Sequence, residues 1–96
     1  MPKQIKARLS GKSYTIAIES PGRNNWAVVD SKRKRISLSK HLGPRGRLSK
    51  IIHESMHISF PDLSEEAVIR AEKEIMAAIR AYWRLEKMLA SEESDN

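Results

Sequence analysis

The sequence predicts an α+β fold, with a small antiparallel or mixed sheet of three or four strands packed on two helices, the second of them long. Two patterns carry this expectation. Over the first forty residues, apolar side chains recur at every second position, the period of a strand with one buried face. From about Arg47 they recur every three or four residues, the period of a helix, and Pro61 divides that stretch in two. A length of 96 residues fits a single domain.

Ile5, Ala7 and Leu9 alternate with Lys6, Arg8 and Ser10, and Tyr14, Ile16 and Ile18 alternate with Thr15, Ala17 and Glu19. These read as two strands joined through Ser10-Gly11-Lys12-Ser13. Pro21 to Asn25 reads as a loop, and Trp26-Ala27-Val28-Val29-Asp30 as a buried strand. Ile36 and Leu38 alternate with Ser37 and Ser39 after a basic turn, and this polarity suggests an exposed edge strand. His41 to Gly46 reads as a connection.

The first helix is expected from about Arg47 to Phe60. Asp62 is a suitable N-cap for the second, with Glu65 completing a capping box. That helix should run to about Leu89, burying Val68, Ala71, Ile75, Ala78, Ile79, Tyr82 and Leu85. It would be roughly 40 Å long, so Trp83, Met88 and Leu89 project and suggest a homodimer through this helix. Trp26 and Trp83 are expected in packing, and Met56, Met76 and Met88 as fill in the core or an interface. Residues 1–90 then form one domain, and 91–96 a disordered acidic tail.

No cysteine is present, which excludes disulfide scaffolds, zinc ribbons and thiol catalysis and suits a reducing cytoplasm. The basic N-terminus lacks the apolar segment of a signal peptide, and no run approaches the ~18 apolar residues of a membrane span, so no membrane partner is expected. The net charge is +6. Lys32, Arg33, Lys34 and Arg35 form a basic run, followed by Lys40, Arg45, Arg47 and Lys50. Such a patch is either a solubilising surface or a contact for nucleic acid.

The most specific signal is His53-Glu54-Ser55-Met56-His57. Average residue usage would produce H-E-x-x-H in a chain of this length only about once in several hundred. Histidines four apart on a helix share one side and can reach one divalent ion, with the adjacent glutamate placed to act on its water. On a helical wheel Leu48, Ile51, Ile52, Ser55 and Ser59 form a separate face, which should pack on the sheet.

A catalytic zinc needs a third protein ligand, and without cysteine it must be histidine or a carboxylate. Asp62, Glu65, Glu66 and Glu72 are nearest. Glu65 lies in line with Val68, Glu72 and Ile79 and is preferred, Glu72 is the alternative, and His41 is remote. The metal would polarise a carbonyl and acidify water, with Glu54 as general base passing the proton to the leaving amine. The strand Ile36–Ser39 would hold an extended peptide over it. Tyr14, Tyr82, His41 and the arginines are the available oxyanion donors, with nothing to choose among them.

Leu48 to His57, followed by Phe60-Pro61-Asp62-Leu63-Ser64-Glu65-Glu66-Ala67-Val68, resembles the very small zincin-like metallopeptidases of bacteriophages and prophages, and more distantly the SprT-like and ImmA-like zincins. The likeness runs from about Arg35 to Tyr82, with Arg35-Ile36-Ser37-Leu38 resembling the edge strand before the active-site helix. It implies a minimal zincin-like fold, a Zn2+ cofactor held by His53, His57 and Glu65, and Glu54 as catalytic base. It also implies a protein or peptide substrate and, for a phage-encoded hydrolase, the host cytoplasm. The competing reading is a basic nucleic-acid-binding phage protein, contacting its ligand through Lys32–Arg35 and keeping a structural or vestigial zinc site.

Overall fold

A computed structural model describes residues 3–20 and 26–94. The expected loop at Pro21–Asn25 lies outside the described residues. The fold is α+β. A four-stranded mixed sheet carries β1 (Lys3–Leu9), β2 (Lys12–Glu19), β3 (Ala27–Asp30) and β4 (Arg35–Ser39), followed by α1 (Pro44–Ser59) and α2 (Glu65–Ser94). No helix of the described residues is long and apolar enough to cross a membrane.

β1 and β2 form a hairpin with Leu9 opposite Lys12, so only Ser10 and Gly11 turn the chain. Both have positive φ, the requirement of the two-residue turn that matches strand twist. Lys12 and Ser13, expected in the turn, already belong to β2. A second hairpin joins β3 to β4. Asp30 turns it by accepting hydrogen bonds from the backbone N–H of Lys32 (3.1 Å) and Arg33 (3.0 Å).

The sheet order is β1-β2-β4-β3, with β4 parallel to β2 and antiparallel to β3. The edge strands are therefore β1 and β3, and β4 is interior. Ser37 and Ser39 led the sequence pattern astray because both are buried with their hydroxyls satisfied. Ser37 Oγ donates to Glu19, and Ser39 Oγ accepts from the His41 N–H. Hydroxyls partnered this way are tolerated inside a sheet as charges are not. β3, with Asp30 and a partly exposed Val28, takes the edge instead of the buried position expected for Trp26–Asp30.

Tyr14, Ile36 and Leu38 form the buried centre, with Leu9, Ile16, Ala27 and Val29 packed beside them from the sheet and Ile51 and Ile58 from α1. On α1 it is thus Ile51 and Ile58, two turns apart, that meet this centre, and no residue of the helix is fully buried. α1 begins earlier than Arg47 because Pro44 occupies its first turn, where a missing N–H costs nothing. It ends at Ser59, where Pro61 disfavours further helix.

Ser64, not Asp62, caps α2, its Oγ accepting from the Ala67 N–H at 3.1 Å. Val68 and Met76 are the buried residues of α2. Of the expected stripe, Ile75 and Ala78 are exposed because they are rotated away from the side that buries Met76, and Tyr82 and Leu85 because the domain ends before the helix does. Trp26 and Trp83 are both more than half exposed rather than packed, and Met88 is exposed as well. The helix continues to Ser94, taking in most of the expected tail. Residues 95–96 lie outside the described residues.

Candidate metal centre

α1 and α2 are joined by five residues, 60–64, so the start of α2 must return beside the end of α1. In an antiparallel pair, one step forward on α2 is one step back on α1. Glu65 therefore meets His57 and His53, and Glu72, about two turns on, meets His53 and Ser49.

The geometry is close. His53 Nε2 lies 2.8 Å from Glu65 Oε1, and His57 Nε2 lies 2.7 Å from Glu65 Oε2. The two Nε2 atoms are 3.2 Å apart. His53, His57 and Glu65 thus bring one ligand atom each within 4.8 Å of one another, close enough to hold a metal ion. Two nitrogens on one tetrahedral zinc would stand about 3.3 Å apart, given Zn–N distances of ~2.0–2.1 Å.

The other ring nitrogen of His53 tests the donor set. His53 Nδ1–H donates to Glu72 Oε2 at 3.1 Å. In the neutral ring this leaves a lone pair on Nε2, facing the Glu65 carboxylate. Acceptor facing acceptor requires a cation between them, either a second proton on the ring or a metal ion. The donor set therefore fits a divalent metal, with Glu72 as the carboxylate that sets the ring's tautomer and orientation. Ser49 Oγ donates to the other oxygen of Glu72 and holds it in place. Burial works to raise the Glu72 carboxyl, but hydrogen bonds from Ser49 and His53, with the charges of His53 and Lys50, outweigh it and hold the pKa below the ordinary value.

A cleft of about 370 Å³ adjoins the centre, lined by Glu54, Lys50 and Ile69 with His53, Glu65 and Glu72, and bounded by Trp26 and Ala27. Glu54 is in no ion pair among the described residues, Lys50 included.

Of the predicted residues, the fold brings together His53, His57 and Glu65, with Glu54 on the same cleft. Glu72, the alternative ligand, instead holds His53 from behind. Asp62, Glu66 and His41 are exposed and outside the group. Tyr14 is in the core and Tyr82 on the outer half of α2, so neither lines the cleft. Lys50 and Trp26 were missed as cleft residues. Lys50 could have been found, since it precedes His53 by three residues and shares its side of α1. Trp26 could not, because its place depends on which strand forms the edge.

The basic run proves to be the β3–β4 turn. Lys32 and Arg33 are exposed, but Arg35 is bound to Glu19 through two hydrogen bonds, of 3.1 and 2.8 Å. Comparison with protein-family models, curated proteins and solved structures returns no match.

Proposed function

We infer that this protein is a zinc-dependent metallopeptidase of minimal zincin type, with Glu54 as general base. The convergence of His53, His57 and Glu65 on one point beside the cleft that Glu54 lines carries the reading. Bound zinc would polarise the scissile carbonyl and acidify water. Glu72, held by Ser49, keeps the His53 ring aimed at that point. Glu54 takes a proton from water as its oxygen bonds to the carbonyl carbon, then returns it to the amine as the C–N bond breaks. Lys50, the cation lining the cleft, is suited to the charge that develops on the carbonyl oxygen.

The edge that holds substrate is β3 rather than β4. Its outer side is unpaired in the sheet, and the chain entering it, Trp26–Ala27, borders the cleft. An extended peptide adding to β3 would run past Glu54.

The test joins elemental analysis of untagged protein to cleavage of a quenched-fluorophore peptide library. The wild type takes up one zinc per chain and cleaves. Glu54→Gln keeps the zinc and loses activity by about 10²-fold or more. Absence of zinc uptake defeats the metal centre, and equal cleavage by Glu54→Gln removes Glu54 as the base. Zinc uptake without cleavage reduces the reading to metal binding.

A further inference from the structure

The face that α2 turns to the domain continues past the domain's end. Beyond buried Met76 and half-buried Ile79 it carries Trp83, 58% exposed, with Tyr82 and Leu89 beside it, 52 and 48% exposed. Thirty helical residues span about 45 Å. That exceeds the molecule's two shorter axes, 35 and 28 Å. Apolar surface of this kind on a soluble chain marks an interaction site.

One side of it is a groove. Between the first turns of α1 and the outer half of α2 lies a cavity of about 650 Å³. Leu48, Met76, Ile79 and Trp83 form its apolar floor. Arg45, Arg80, Arg84 and Lys87 also line it, and no acidic side chain does. Among the described residues, none of these four cations has an ion-pair partner.

The charge selects the occupant. A second copy packed antiparallel would set Arg80, Arg84 and Lys87 against the same residues of its partner, like charge on like. A parallel copy would set them against Ile75, Tyr82, Glu86 and Leu89, a flank with one carboxylate for three cations. We propose that the groove docks an acidic amphipathic helix from another protein, its apolar side on Met76, Ile79 and Trp83 and its carboxylates among Arg45, Arg80, Arg84 and Lys87. This stands independently of the metal centre.

Trp26→Phe leaves Trp83 as the sole tryptophan and a direct reporter. The probe is a synthetic helical peptide with leucine on its seam and glutamate on its flanks. Its control carries lysine for glutamate, and a single-stranded oligonucleotide serves as competitor. The acidic peptide is expected to shift Trp83 emission and saturate at one per chain, weakening with salt, while the lysine peptide binds at least ten times more weakly. Arg80→Glu, Arg84→Glu and Lys87→Glu together should reverse that order without loss of helical circular dichroism. Should that combination unfold, Arg84→Glu alone should weaken the acidic peptide roughly threefold, the range of one exposed charge pair. Equal affinity for both peptides overturns the proposal. So does an oligonucleotide that binds more tightly than the acidic peptide, or a dimer, seen by sedimentation, that hides Trp83 from it.

Discussion

Glu19 on the sheet and Glu65 at the start of α2 both sit among polar side chains, but only Glu19 meets a permanent positive charge. Arg35 grips both of its oxygens and Ser37 adds a third hydrogen bond. Those bonds, Arg35 first, outweigh burial and hold the Glu19 carboxyl at about 2. Glu65 faces two imidazole nitrogens, and its neighbour Glu72 already holds the other nitrogen of one ring. The first cluster closes its own charge and needs nothing further. The second turns two imidazoles and a carboxylate toward one point, close enough to hold a metal ion. An ion pair whose charges and hydrogen bonds are matched within the fold supports that fold, whereas a cluster of metal-ligating side chains beside a cleft is suited to a ligand.

Removing a ligand should separate the clusters most sharply. Zinc sites of four ligands bind with ~10–16 kcal/mol, so one ligand carries about 3 kcal/mol and His57→Ala should weaken zinc about 10²-fold or more. Competition with a fluorescent chelator reads this directly, and unchanged affinity would mean that His57 is no ligand. The same change should leave the pH stability curve of the sheet cluster untouched.

Glu72→Gln tests whether the carboxylate behind His53 is part of the centre. It keeps the side chain's shape but weakens the hold on the ring, and a loss of about 10-fold in zinc affinity is expected. Glu65→Gln, which touches the metal point itself, should cost more. If Glu72→Gln proved the worse of the two, the roles of these glutamates would have to be exchanged.

Glu19→Gln should have the smallest effect, and on stability alone. About 1 kcal/mol is expected at neutral pH, after screening at this partly exposed position, with zinc affinity unchanged. The pH dependence has a definite sign. The folded pKa lies below the ordinary 4.5, so the contribution is complete above about 4.5 and fades as pH falls toward 2. Urea unfolding of wild type and variant should differ at pH 6 and converge near pH 2, and a constant gap would place the effect elsewhere.

Local chemistry was legible in the sequence where it depended on spacing within one element. His53, Glu54 and His57 share α1, and helical geometry alone puts the two rings together. Glu65 was reachable because the five-residue link leaves α2 little choice but to return there. β1 and β2 followed from alternation on either side of Ser10-Gly11-Lys12-Ser13, of which only Ser10 and Gly11 form the turn. The pattern failed where burial depended on a neighbour. Ser37 and Ser39 look like an outer face until Glu19 and the His41 N–H are seen to satisfy them. The reach of the α2 stripe failed likewise, since periodicity cannot tell where the rest of the domain stops.

The sequence by itself determined the α+β class, the strand-then-helix order and the imidazole pair, because each follows from side-chain period along a single stretch of backbone. Only the tertiary structure decided that β3 lies at an edge and β4 inside the sheet, that Glu65 meets both rings while Glu72 supports one from behind, and that a basic groove lies along the far end of α2. Those are contacts between residues distant in the chain, and their energies depend on which surfaces the folded molecule leaves for water.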